Sequence, residues 1–236
     1  MDIQQIQNTL QSLYGPTSPA EKKAASDALL QFQRSQQAWD VIFPILQEPN
    51  APFELKLFVC QTLRSKVQYD FGQLNNESST IESLRLSILN VLNSMTEFKS
   101  QKLLIIQVSI ALAYLIIQDF TWETPITDVM NALANTPVNL LEFLNVLPEE
   151  MSDFKKLPLT NEEFESQFEK LLTKNAENVY YVLVQSSANI GFNKDLETLV
   201  LCCIKSWINE IPISLILSQD SPLWKLIVDG FKDDET

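Results

Sequence analysis

The sequence contains only four glycines, at positions 15, 72, 191 and 230, among its 236 residues. A chain built on sheets needs glycine at tight turns, at bulges and in phosphate-binding loops, where the backbone adopts conformations that other residues avoid. The eleven prolines lie mostly between apolar runs, where proline separates elements rather than breaking them. The scarcity of glycine therefore predicts helices joined by short connections.

Signals for the start of a helix recur along the chain. A Ser or Thr that can cap a helix is followed directly by proline at Ser18-Pro19, Thr124-Pro125, Thr136-Pro137 and Ser221-Pro222. A further capping box runs from Thr160 to Glu163. Between these signals the apolar residues follow the helical period, and no run alternates as a strand would.

Together the signals predict about twelve helices, at approximately 2–14, 19–34, 36–48, 52–71, 78–95, 98–119, 125–135, 137–147, 161–190, 193–210, 212–218 and 222–232. Taken in pairs, they start near residues 2, 36, 78, 125, 161 and 212, a mean spacing of about 40 residues that is typical of HEAT repeats. The expected fold is all-α, a right-handed α-solenoid of about six HEAT-type helix pairs over residues 1–236. Apolar residues of the last predicted helix, such as Leu223 and Trp224, need a further element to pack against. Either that helix folds back as a cap or the chain is the N-terminal piece of a longer array, and we favour the second.

The net charge of −13 is concentrated in the second half of the chain. Residues 1–110 carry nine Lys and Arg against ten Asp and Glu, whereas residues 111–236 carry eight against twenty. Such an acidic surface repels nucleic acid and anionic membrane and attracts basic proteins. We therefore expect basic protein partners and no direct binding of nucleic acid, which requires a basic stripe.

The chemistry of most enzymes is absent from the sequence. The chain has no histidine, so neither a Ser-His-Asp triad nor metal ligation by imidazole is available. Neither phosphate-loop pattern occurs, and the paired acids Glu149-Glu150 and Glu162-Glu163 lie beside predicted helix starts, where acids complement the helix dipole. We expect no enzyme activity, no catalytic residue, no cofactor and no metal.

The apolar stretch Leu103–Ile117 and the three cysteines are expected to belong to the core. The stretch is interrupted by Gln107, Ser109 and Tyr114 and is short for a membrane span. Cys60, Cys202 and Cys203 lie on apolar helical faces without an adjacent base, which indicates buried thiols in a reducing compartment. The sequence therefore predicts a buried core helix and no membrane segment.

Three short motifs occur in a characteristic order. They are Q-R-S-x-x-A-W at Gln33–Trp39, Q-T-[LM]-[RK]-x-K at Gln61–Lys66 and L-x-V-L-P-E-E at Leu144–Glu150. With the surrounding stretches, they resemble the N-terminal region of the transportin-SR branch of the importin-β (karyopherin-β) superfamily of nuclear import receptors. The resemblance extends over essentially the whole chain.

This resemblance implies a HEAT-repeat import receptor that shuttles between cytoplasm and nucleus. Such receptors cross the pore by weak contacts with Phe-Gly nucleoporins and release cargo when Ran–GTP binds. In this branch the cargoes are SR- or RGG-type RNA-binding proteins, with a link to tRNA transport, and they contact mainly later repeats. The N-terminal arch contributes much of the Ran–GTP surface.

In such solenoids the second helix of each pair lines the concave face, which allows partner-binding residues to be nominated. On the helix predicted at 52–71, Val59, Leu63 and Val67 form the buried stripe, so Gln61, Arg64, Ser65 and Gln68 are expected to be exposed, with Lys66 snorkelling at the edge. On the helix predicted at 98–119, one polar-and-small face comprises Ser100, Gln107, Ala111, Tyr114 and Gln118. Lys23, Asp27 and Arg34 are weaker nominations on the helix at 19–34. For any single one of these residues, a merely solvated face is the competing interpretation.

A second function class fits composition and periodicity equally well. A static HEAT scaffold, such as a subunit of a phosphatase or a coat-type complex, would organise partners without nucleotide control. Only the family resemblance separates the two classes at this level.

Overall fold

The computed structural model of this chain describes residues 1–74, 78–152, 157–191, 193–218 and 220–233. Those residues form thirteen α-helices, with short 3₁₀ turns at Phe71–Leu74 and Thr173–Asn175, and contain no strand. In chain order the helices are α1 Ile3–Tyr14, α2 Pro19–Arg34, α3 Ala38–Gln47, α4 Phe53–Asp70, α5 Ser78–Ser94, α6 Phe98–Gln118, α7 Pro125–Ala132, α8 Pro137–Ser152, α9 Asn161–Leu171, α10 Ala176–Ala188, α11 Lys194–Trp207, α12 Ile213–Ile216 and α13 Pro222–Asp233. The predicted class, all-α with HEAT-type helices, is confirmed.

The five helix starts predicted from capping residues are confirmed, since α2, α7, α8, α9 and α13 begin directly after them. Two of them are complete capping boxes. The Ser18 hydroxyl accepts from the N–H of Glu21 while the Glu21 carboxylate accepts from the N–H of Ser18 at 2.8 Å. Thr160 and Glu163 repeat this exchange at the start of α9. Each box satisfies backbone N–H groups that the first helical turn leaves without partners.

The single helix predicted over 161–190 is wrong. The structure ends α9 at Leu171 and begins α10 at Ala176, with the 3₁₀ turn between them. The Asn175 side-chain amide donates to the backbone carbonyls of Lys170 and Leu171, at 2.9 and 3.3 Å. These bonds satisfy carbonyls at the end of α9, so the break costs little hydrogen bonding.

The predicted end of α8 at residue 147 is also wrong, because the helix continues through Pro148 to Ser152. Proline has no N–H, so Pro148 cannot bond to the carbonyl of Leu144 one turn earlier. The indole of Trp207 on α11 donates to that carbonyl at 2.7 Å. A tertiary contact therefore replaces the missing helical bond.

The chain folds into two compact units, Met1–Leu115 and Ile116–Thr236. In the first unit, α1 packs against α2 and α3 packs against α4, while α4 also contacts α1 and α2. The Phe32 and Phe58 rings stack with centroids 6.5 Å apart between α2 and α4. The core of this unit therefore lies around α4.

In the second unit, α8 and α11 form the most extensive contact, and α10 packs against both α11 and α13. The Cys203 thiol donates to the carbonyl of Leu141 at 3.0 Å, and the Ser206 hydroxyl donates to Oδ1 of Asn145 at 2.8 Å. With the indole of Trp207, these give three hydrogen bonds along one face of α11.

The prediction of a buried core helix over the apolar stretch is confirmed by α6. Every residue from Val108 to Ile117 is buried. By length and hydropathy alone α6 could cross a membrane, but most of its apolar window is buried inside the protein. A helix that is apolar on all sides is typical of a protein core.

Candidate partner-binding surface

Among the nominated residues, the structure brings Arg64 and Gln107 into direct contact. The Nη1 group of Arg64 on α4 donates to Oε1 of Gln107 on α6 at 3.4 Å, and both side chains are half-buried. Gln61 lies nearly one turn before Arg64 on α4 and is exposed. A guanidinium has five N–H donors, and this contact engages one of them. The pair therefore joins α4 and α6 while leaving the guanidinium able to contact a partner.

Lys23 and Asp27 are exposed one turn apart on α2. They lie about 15 and 9 Å along the helix from Gln33, by its rise per residue. Gln33 itself donates to the Thr62 hydroxyl on α4 at 3.1 Å. We define the α2/α4/α6 surface by Lys23, Asp27, Gln61, Arg64 and Gln107, in which a hydrogen bond joins Arg64 to Gln107.

The predicted exposure of Gln68 is wrong. This side chain is only 4% exposed. The helix α4 contacts α1, α2 and α3, so more of its circumference is covered than the single stripe of Val59, Leu63 and Val67 predicts. Gln68 is therefore a core residue and leaves the surface.

The predicted exposure of Tyr114 is wrong as well, since this side chain is 1% exposed. Ala111, on the same predicted stripe, is fully buried. The exposed part of the stripe ends after Gln107 because residues 108–117 of α6 are all buried. Small and aromatic residues pack well in such a core, so they do not mark a solvated face.

Gln118 ends α6 and lies in the second unit, where its side chain is half-buried. Of the other residues on the predicted stripes, Ser100 and Arg34 are exposed and Ser65 is half-buried. The role of these residues in binding a partner remains a prediction.

Two exposed leucines close to the nominated residues were missed by the sequence analysis. Leu103 on α6 is 53% exposed and Leu30 on α2 is 48% exposed. Leu103 lies three residues after Ser100 and four before Gln107, so it shares their helical face. That phase was the available signal, and the prediction that the stretch Leu103–Ile117 is a buried core helix obscured it. Leu30 lies three residues after Asp27 in the same way.

Lys66 is not the snorkelling side chain that the sequence predicted, because it is fully buried. Its ammonium group donates to Asp70 at 2.9 Å and to Gln73 at 2.6 Å. It also lies 5.3 Å from the ring centroid of Trp39 on α3. A buried ammonium needs such partners, and its contact with Trp39 joins α4 to α3.

The cysteines and acids provide no reactive group at this surface. Cys60 and Cys203 are buried, and Cys202 is half-buried. Burial raises the pKa of Cys60 to about 12, and burial with the nearby Glu142 carboxylate raises the pKa of Cys203. Among the described residues, no group of three His, Cys, Asp or Glu side chains could hold a metal ion. The arrangement suits protein binding through polar and exposed apolar side chains.

Comparison with known proteins places these features in a family. Residues 101–236 match the family model described as "Exportin 1-like protein". The chain is 36% identical over 237 residues to the mRNA transport regulator MTR10 of Saccharomyces cerevisiae, covering 96% of this chain and 24% of that protein. It is 30% identical over 210 residues to transportin MOS14 of Arabidopsis thaliana, covering 86% of this chain and 21% of that protein.

Bovine importin-13 is 25% identical over 229 residues, covering 89% of this chain and 22% of that protein. The chain thus spans about a quarter of the length of the curated relatives it matches. The match to the family model extends over more than half of the chain, and the resemblance suggested by the three motifs is confirmed. The chain belongs to the Exportin 1-like family of nuclear transport receptors, in its transportin branch.

Proposed function

We propose that this chain is the Ran–GTP-binding part of a nuclear import receptor and that the α2/α4/α6 surface contacts Ran. Family membership supports the receptor role. The contact between Arg64 and Gln107 carries the assignment of the surface, because it holds a cationic side chain in place where α4 and α6 meet. A guanidinium held in this way loses less conformational freedom on binding than a mobile one.

The chemistry of the surface is suited to a protein partner. Lys23, Asp27 and Arg64 supply both signs of charge, and the exposed Leu30 and Leu103 supply apolar area beside them. Interfaces combine an apolar centre with a polar rim, and an arginine near the centre is often a major contributor to affinity. Gln118 belongs to the same proposal as a separate contact in the second unit.

The wider proposal concerns the receptor as a whole. The proposed receptor shuttles between cytoplasm and nucleus and contacts Phe-Gly nucleoporins. It releases basic RNA-binding proteins of SR or RGG type when Ran–GTP binds. A link to tRNA transport belongs to the same proposal. Cargo binds mainly through later repeats. The acidic excess of residues 111–236 supports a basic partner, whose affinity should fall as salt rises.

The decisive experiment compares binding of the chain to Ran loaded with GTP and with GDP. We expect retention of the GTP form only. Equal binding of both forms, or of neither, would contradict the proposal and favour the static scaffold of a phosphatase or coat-type complex.

Charge reversal at Arg64 tests the surface itself. Arg64→Glu should weaken binding of Ran–GTP by about tenfold or more, since it removes a cationic hydrogen-bond donor and places a negative charge in its position. Lys205→Glu makes the same change of charge at an exposed site on α11 and should leave binding unchanged. Equal losses in the two variants would show that only net charge matters.

A further inference from the structure

A groove in the first unit lies between the C-terminal half of α1 and the start of α4. Its volume is about 540 Å³, within the range of ligand-binding pockets. Gln7, Gln11 and Tyr14 line it from α1, while Pro52 and Glu54 line it from the start of α4. None of these residues belongs to the α2/α4/α6 surface, so the groove is a separate feature.

The corner that closes the groove is held by two backbone hydrogen bonds. The N–H of Gly15 donates to the carbonyl of Gln11 at 2.8 Å, and the N–H of Thr17 donates to the carbonyl of Gly15 at 2.9 Å. A Cβ atom at position 15 would lie 2.5 Å from the Gln11 carbonyl oxygen, so only glycine fits without a shift. This corner of the groove is therefore fixed by local backbone geometry, which lowers the entropy lost there when a ligand binds.

The aromatic wall of the groove is open to solvent. Tyr14 is 67% exposed although it lines the groove, and Pro16 lies beside it. Grooves with aromatic side chains bind polyproline II segments, because the proline rings of the ligand pack on the aromatic face. Such a segment has no internal hydrogen bonds, so its carbonyls can accept from the amides of Gln7 and Gln11.

The charge of the groove limits which peptides it can bind. α1 contains no charged side chain, and Glu54 is the single charged residue among the described residues that line the groove. Glu54 is exposed at the first turn of α4. A lone carboxylate at the rim favours a ligand with a basic residue and disfavours an acidic one.

We propose that the groove between α1 and α4 binds an extended, proline-containing peptide segment that carries a basic residue. The prolines pack against Tyr14, Pro16 and Pro52, and the basic side chain pairs with Glu54. This site does not depend on the binding of Ran and is independent of the function proposed above.

The test uses fluorescence anisotropy with the full chain and a labelled peptide of prolines around one arginine. We expect saturable binding that weakens about tenfold when glutamate replaces the arginine and when serines replace the prolines. Absence of binding, or equal binding of the arginine and glutamate peptides, would overturn the proposal.

Two variants locate the site. Tyr14→Ala should weaken binding about tenfold, whereas Tyr69→Ala, which removes an equally exposed tyrosine at the other end of α4, should not change it. Glu54→Gln should reduce the preference for arginine over glutamate. Thermal melts confirm that each variant is folded, and equal effects of the two tyrosine variants would place the peptide elsewhere.

Discussion

The indole Nε1 of Trp207 donates to the backbone carbonyl of Leu144 at 2.7 Å, one helical turn before Pro148. Both Trp207 and Leu144 are fully buried. Since Pro148 cannot donate to this carbonyl, α11 supplies the hydrogen bond that α8 lacks. The hydrogen bond from Trp207 on α11 thus compensates for the backbone N–H that Pro148 in α8 lacks.

Trp207→Phe should therefore destabilise the protein by more than the change in packing alone. It leaves a buried carbonyl without its donor, at a cost of about 1–3 kcal/mol. Urea denaturation of the single variants and of Trp207→Phe with Pro148→Ala measures the coupling. Alanine at position 148 restores an N–H for Leu144, so the tryptophan change should cost less in that background. Equal costs in the two backgrounds would contradict this account.

Gln167 on α9 has a comparable role at the end of α6. Its side-chain amide is buried and donates to the carbonyl of Ile117 at 3.1 Å. The last four carbonyls of a helix have no helical partner, so Gln167→Leu should cost about 1–3 kcal/mol in urea denaturation. Gln167→Glu should be worse at neutral pH than at acidic pH, because it faces a carbonyl with a buried charge. Gln185→Leu, at an exposed site on α10, serves as control.

Tyr114→Ala should lower the melting temperature whatever its effect on partners. The side chain is among the largest that are fully buried, and truncating a large aromatic core residue costs about 3–5 kcal/mol. Arg64→Glu, by contrast, should melt close to the parent protein. A Tyr114→Ala protein with unchanged stability would show that this side chain is not in the core.

The capping box of α9 should make stability depend on pH. Backbone and hydroxyl hydrogen bonds from Thr160 lower the pKa of Glu163 below its ordinary value of 4.5. The carboxylate therefore stabilises the folded state above pH 4.5, and this contribution is lost as pH falls through the folded-state pKa. We would measure melting temperatures of the parent and of Glu163→Gln between about pH 6, above the ordinary pKa of a glutamate, and about pH 3, below it. The difference between the two proteins should shrink as the pH is lowered. A constant difference would argue against the hydrogen bonds.

Thiol labelling separates the three cysteines. Burial raises the pKa of Cys60 to about 12, and burial together with the Glu142 carboxylate raises the pKa of Cys203, so neither thiol forms appreciable thiolate at neutral pH. Cys202 is half-buried, so we expect a disulfide reagent to modify it alone in the folded chain and all three cysteines in denaturant. Cys202→Ser should abolish labelling of the folded protein, and rapid labelling that persists in that variant would contradict the burial of the other two.

Residues of the proposed surface show how far helical phase can be read. It correctly placed Gln61 on an exposed face of α4 and Val59, Leu63 and Val67 in the core, because apolar residues spaced by about one turn share a buried side of the helix. It failed for Gln68 and Tyr114, which lie where neighbouring helices cover more than one side. Helical phase gives the direction in which a side chain points from its helix. It does not give the number of neighbouring helices that cover that side chain.

The sequence by itself determined the helical class and the starts of five helices, because capping side chains and prolines act on backbone groups within a few residues. Its motifs also identified the family. Only the tertiary structure decided that α8 continues through Pro148, that Lys66 is buried, and which positions of α4 and α6 are exposed. Those outcomes depend on groups far apart in sequence, such as Trp207 for Leu144 and Trp39 for Lys66, which no local pattern records.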